Sequence, residues 1–111
     1  MSEVINPANG DVVAHINYAS SADVDAAVRK ASTAYEEWSR TTPGERSAAL
    51  HALAQRMSDR ADEYVSTETA QSGKPLRLSR EFDVPGSIDN VEFFAGAARN
   101  LEGKASTEWD G

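Results

Sequence analysis

Residues 42–72, TPGERSAALHALAQRMSDRADEYVSTETAQS, carry the strongest folding instruction in the chain. Thr42 is placed to cap a helix, because its hydroxyl can accept from one of the orphan amides of the first turn. Pro43 follows at the first helical position, where its missing N–H costs nothing, and Glu45 stands three residues after the cap to close a capping box. Leu50, Leu53, Ala54, Met57, Ala61, Tyr64 and Val65 then fall on one face at a 3.6-residue period. Arg56, Asp59, Arg60, Asp62 and Glu63 mostly face elsewhere. The spacing predicts one helix over 43–71 with an apolar stripe that must be covered. The other segments are its cover, or share with it a surface that the chain does not itself contain.

The segment Val4 to Ile16 predicts a β-hairpin. Asn9-Gly10 is a tight-turn signal, since both residue types tolerate positive φ. Pro7 offers no ladder donor and marks the end or edge of the first strand. Two strands alone are marginal in water, so the hairpin needs a partner. Ser20, with Asp23 three residues on, caps a helix predicted over 21–39. Its stripe is Val24, Ala27, Val28, Ala31, Tyr35 and Trp38, and its wet side holds Asp23, Asp25, Arg29, Lys30, Glu36 and Glu37. The short link to Thr42 favours antiparallel packing on the central helix.

After the central helix, Gly73 suits the left-handed residue that closes a helix, and Pro75 blocks continuation. Leu76 to Phe82 forms a short helical stretch that Asp83-Val84-Pro85-Gly86 interrupts. Pro85 then opens a last helix over 85–99, carrying Ile88, Val91, Phe94, Ala95 and Ala98. The small residues after Phe93-Phe94 let another backbone come close. Beyond Gly103 the pattern dissolves. The fold class is therefore mainly α with a short N-terminal β-hairpin. Alanine carries much of the apolar surface and buries little area, so the chain reads as an incomplete part of a larger body.

Composition excludes several functions. The 111 residues contain no cysteine, hence no disulfide, thiolate zinc site or cysteine nucleophile. Eleven basic against eighteen acidic residues give a net charge of −7, which disfavours a non-specific grip on nucleic acid or an anionic membrane. No stretch reaches the roughly 18 apolar residues of a membrane span, and no secretory signal opens the chain; a soluble cytoplasmic protein is expected. His15 and His51 are the only histidines and lie far apart in sequence, so each reads as an ordinary solvated side chain. There is no HExxH, P-loop or GxGxxG.

Taken in order, a series of short tags resembles the N-terminal part of the NAD(P)-dependent aldehyde dehydrogenase superfamily. They are Ile5-Asn6-Pro7-Ala8-Asn9-Gly10, Ser20 with Asp23-Val24-Asp25-Ala26-Ala27-Val28, Trp38, Pro43-Gly44-Glu45-Arg46-Ser47, Glu68-Thr69, Gly73-Lys74-Pro75, Phe93-Phe94-Ala95-Gly96 and Leu101-Glu102-Gly103. Phe93 to Arg99 most resembles the aminobutyraldehyde and betaine-aldehyde branch. The resemblance implies an incomplete N-terminal piece of an α/β fold several times this length, with a Rossmann-like cofactor domain, a catalytic domain and an oligomerisation arm. It implies NAD or NADP as cofactor, an aldehyde substrate and a homo-oligomer in the full-length parent, with none of the cofactor held by this chain alone.

The parent reaction implied is attack of a cysteine thiolate on the aldehyde, hydride transfer to the nicotinamide, and hydrolysis of the resulting thioester. No catalytic or cofactor-binding residue of that reaction matches a position here, and Glu63 and Glu68 read as helix surface. Three sites are carried over by the resemblance. Val4 and Ile5, through backbone carbonyls, match ligands of a structural sodium or potassium ion. Gln71 matches the aspartate of that site, so the charge favouring a hard cation is lost. Asp83 matches an acidic residue beside the substrate entrance, placed to attract the ammonium of 4-aminobutanal or betaine aldehyde. Gly86 matches a position that lines the aldehyde tunnel and leaves it open.

The expected function is thus part of an aldehyde dehydrogenase, inactive alone. The alternatives are a small acidic helical interaction module without catalysis, and a piece that complements a separate remainder.

Overall fold

Two capping boxes set where the long helices begin. In the computed structural model, which describes residues 1–100, the Ser20 amide and hydroxyl both donate to Asp23 Oδ2, at 2.8 and 2.7 Å, and the Asp23 amide donates back to Ser20 Oγ at 3.2 Å. Thr42 and Glu45 repeat the pattern at 2.7, 2.9 and 3.2 Å. These start α1 (Ser21–Trp38) and α2 (Pro43–Asp59) where the sequence predicts. The tag Leu101-Glu102-Gly103 and the stretch after it lie outside the described residues.

The chain opens with an antiparallel hairpin of β1 (Ser2–Ile5) and β2 (Val12–Ile16). Its connection is not a two-residue turn at Asn9-Gly10. Asn6 N–H donates to Asp11 O and Gly10 N–H to Asn6 O, both at 2.8 Å, so a longer loop is closed at Asn6. The carboxamides of Asn6 and Asn9 accept from the amides of Ala8 and Asp11, which pins the loop from inside. Only Gly10 takes positive φ there, at 81°.

The predicted helix over 43–71 is two helices. α2 ends at Asp59 and α3 (Ala61–Ser72) restarts one residue later, with Arg60 at φ −114°, ψ 19° between them. The Arg60 guanidinium binds both carboxylate oxygens of Glu63, at 2.9 and 2.6 Å, while the Arg60 carbonyl accepts from the Glu63 and Tyr64 amides. That pairing starts a new first turn, and Asp62 and Glu63 complement its dipole. The apolar stripe is correspondingly narrower than predicted. Ala54 and Val65 are buried, whereas Leu53 and Tyr64 remain exposed.

Gly73 closes α3 in the left-handed conformation, φ 71°, as predicted from its type. Beyond it the chain does not break at Asp83-Val84-Pro85-Gly86. α4 (Leu76–Leu78), a π turn (Ser79–Asp83) and α5 (Val84–Ala97) run on continuously. The Val84 amide reaches back five residues to Ser79 O. The wider turn accommodates the Pro85 ring, which would crowd the preceding carbonyls of a regular helix.

The core lies where α2 and α3 meet the π turn and α5. Its buried apolar residues are Ala54, Val65, Val84 and Ala95, with Ser47 and Ser79 buried beside them. Ala95 is fully covered, so a small residue does permit close approach there, while Gly96 faces open space. α1 does not pack as an antiparallel neighbour of α2, for none of its residues is buried. The radius of gyration is 20.0 Å, against about 13 Å for a compact chain of this size. Among the described residues no helix is long and apolar enough to cross a membrane.

Candidate functional site

The turn at Gly73 aims Lys74 at two carboxylates. Once α3 has ended, the Lys74 ammonium reaches Glu68 Oε1 at 3.2 Å on that helix and Asp83 Oδ2 at 2.7 Å across at the π turn. Ser72 helps set the approach, donating its hydroxyl to Glu68 O and accepting from the Lys74 amide. The hydrogen bond to Asp83, and then that to Glu68, hold the Lys74 ammonium above its ordinary range. Two carboxylates against one ammonium leave the cluster with a net charge of −1.

Glu68 and Asp83 stand at the edge of a cleft of about 300 Å³. Met57 and Tyr64 give it apolar and aromatic wall, Val84 part of its floor, and Thr67 and Ser87 its hydroxyls. Asp83 projects into it from the last residue of the π turn. A broader hollow of about 800 Å³ is walled by α1 alone, which is too open to enclose a ligand.

Of the residues singled out in the sequence, Asp83 thus lines a cleft, but its charge is already engaged by Lys74. Sequence reasoning missed that partner because it read Gly73-Lys74-Pro75 only as a stop signal. Gly86 is not part of the same lining, and a Cβ built on it meets nothing within 4 Å. Val4 and Ile5 flank the register shift of the hairpin, where the regular ladder is interrupted. Gln71 lies exposed in the last turn of α3. Pro7 packs on Gly73, so that a Cβ there would sit 2.6 Å from Pro7 Cγ. Both ends of the candidate cation site are therefore two residues from one contact. Among the described residues no group of His, Cys, Asp or Glu could hold a metal ion, which leaves oxygens without formal charge as the available donors.

The two histidines are both exposed and each faces a glutamate, His15 with Glu3 at 3.8 Å and His51 with Glu92 at 2.6 Å. The second pair ties α2 to α5.

A helical scaffold with a docked hairpin, flanking a small acidic cleft and carrying uncovered faces, has the form of one side of a larger enzyme. The chain belongs to the aldehyde dehydrogenase family, whose model matches residues 1–110. It is similar to PnpE, solved in complex with nicotinamide adenine dinucleotide, at 35% identity and TM-score 0.88 over 93% of this chain and 21% of that one. The γ-glutamyl-γ-aminobutyraldehyde dehydrogenase of Burkholderia cenocepacia J2315 matches at 33% identity and TM-score 0.88, over 98% of this chain and 22% of that one. The P. syringae AldA indole-3-acetaldehyde dehydrogenase, bound to NAD⁺ and IAA, matches at 29% and 0.87, over 96% and 22%. The chain thus spans about a fifth of the length of these solved chains. Their names cover more than one aldehyde, so the comparisons establish the family and not a branch within it.

Proposed function

We propose that these residues form the N-terminal part of a cytoplasmic, homo-oligomeric NAD(P)-dependent aldehyde dehydrogenase that oxidises an amino- or ammonium-aldehyde to the carboxylic acid, and that alone they carry out no turnover. The observation that carries the reading is the family match over residues 1–110, with Asp83 set in an acidic cleft. The residues present do not fit a dinucleotide. The sequence has no GxGxxG, and the described strands form only an antiparallel hairpin rather than the parallel βα unit that cradles a pyrophosphate. This chain's contribution is to frame and charge the substrate side.

The cluster's net negative charge favours a cationic aldehyde over a neutral one of equal size, and open space at Gly86 leaves room for a bulky ammonium. A structural sodium or potassium ion held by the Val4 and Ile5 carbonyls with Gln71 belongs to the same proposal. Its donors are neutral, so its binding is weak.

Residues 1–111 incubated with 4-aminobutanal and NAD or NADP should give no rise in NADH or NADPH absorbance, with the Burkholderia relative as positive control. Clear turnover by the pure chain overturns the assignment of inactivity. Substrate choice is tested in a chimera carrying residues 1–111 in place of the matching segment of that relative. Asp83→Asn should raise KM for 4-aminobutanal by about threefold to tenfold, the scale of one partly exposed charge interaction, and leave a neutral aldehyde unchanged. An equal effect on both aldehydes removes the electrostatic role.

A further inference from the structure

α1 is an amphipathic helix with nothing on its apolar side. Val24, Val28, Tyr35 and Trp38 share one stripe, and their exposures are 52%, 60%, 66% and 49%. In a surface helix of a finished domain this stripe faces the core. The whole chain tells the same story by area. It exposes 9062 Å², whereas a compact monomer of 11.9 kDa exposes about 6000 Å². The excess, about 3000 Å², falls in the range buried by obligate interfaces rather than transient ones.

The comparisons say what is available to cover it. In solved relatives that match over 93–98% of this chain, the matched part is only 21–22% of the polypeptide. About four fifths of each relative therefore lies outside the matched region while the matched elements keep this arrangement, at TM-scores of 0.88. A second copy of this chain brings another uncovered stripe but nothing resembling that missing body.

We propose that the α1 stripe is a docking face for the remaining four fifths of an aldehyde dehydrogenase polypeptide, and that it captures that body without a covalent link. The proposal rests on the family reading above. Burying one valine of this kind is worth roughly tenfold to a hundredfold in affinity. A carboxylate placed on the stripe should abolish capture, and the same carboxylate on the opposite side should not.

The test co-expresses untagged residues 1–111 with a tagged Burkholderia γ-glutamyl-γ-aminobutyraldehyde dehydrogenase that lacks the matching segment. The expected result is equimolar co-purification, lost by at least about tenfold with Val28→Asp and retained with Thr33→Asp, which lies half a turn away on α1. None of α1 is buried against the rest of the chain, so neither variant disturbs the core. No co-purification, or equal behaviour of the two variants, overturns the proposal. So does a self-associated dimer of residues 1–111 that Val28→Asp breaks and that takes up no tagged chain, since it assigns the stripe to a second copy. The single-chain chimera separates the two readings. An active chimera with no capture in two pieces defeats docking alone, whereas capture with an inactive chimera defeats the enzymatic reading alone.

Discussion

At the scale of single residues, Gly73 does two tasks that no other side chain can combine. It takes the left-handed conformation that ends α3, and it leaves room for the Pro7 ring. Gly73→Ala should therefore cost about 1–2 kcal/mol from the conformation alone, with the Pro7 collision added to it. Hydrogen exchange should report this as faster exchange in the hairpin with little change in α2. An unaltered hairpin would show that Pro7 is not what anchors it. Gln71 supports a different expectation. Thermal stability of the chimera should be indifferent to replacing potassium by choline at equal ionic strength, and Gln71→Asp should introduce a dependence by supplying the charge a hard cation favours. Lys74 shows how a neighbour changes a residue's meaning. Asp83 was legible as an acidic candidate, but its ammonium partner lies nine positions earlier, across a turn whose direction is set by Gly73.

At the scale of elements, the capping boxes make helix content depend on acid. Glu45 is held below its ordinary range first by the Thr42 amide and then by its hydroxyl, and Asp23 first by the Ser20 hydroxyl and then by its amide. A carboxyl with a lowered folded value stabilises the fold above its unfolded value, here 4.5 and 3.8, and loses that contribution as pH falls through the folded value. Far-UV circular dichroism should stay flat from neutral pH to about 5 and decline below it. Ellipticity that starts to fall near neutrality would point to another group. Thr42→Ala should cost about 1 kcal/mol at neutral pH, read from chemical denaturation. These boxes, the hairpin and the Gly73 stop were legible because each is decided within a few residues. The break at Arg60 was not, since the apolar period continues through it and only the grip on Glu63 ends the turn. The π turn was hidden for a related reason: Pro85 signals interruption locally, yet a wider turn absorbs it while Val84 stays buried.

For the whole molecule, a core of four small or medium apolar residues beside two serines is thin support for 111 residues. Residues 1–111 in isolation should unfold over a broad temperature range, with α2 and α5 the most protected from hydrogen exchange and α1 the least. A steep single transition with uniform protection would instead favour a self-sufficient module. Small-angle scattering gives an independent check. A radius of gyration near 20.0 Å matches the open arrangement, and one near 13 Å would mean that α1 folds back onto α2.

The link between those two helices is not slack. The Arg46 side chain donates to Thr41 Oγ1 at 3.0 Å and to Ser39 O at 3.2 Å, while Thr41 Oγ1 donates to Trp38 O at 2.7 Å. α1 is thereby braced like an outrigger before anything lies beneath it. A partner arriving on that arm meets a surface already aimed, and the entropy of fixing its direction has been spent inside the monomer. Arg46→Ala should accordingly leave the helix intact yet make the arm a slower and weaker catch.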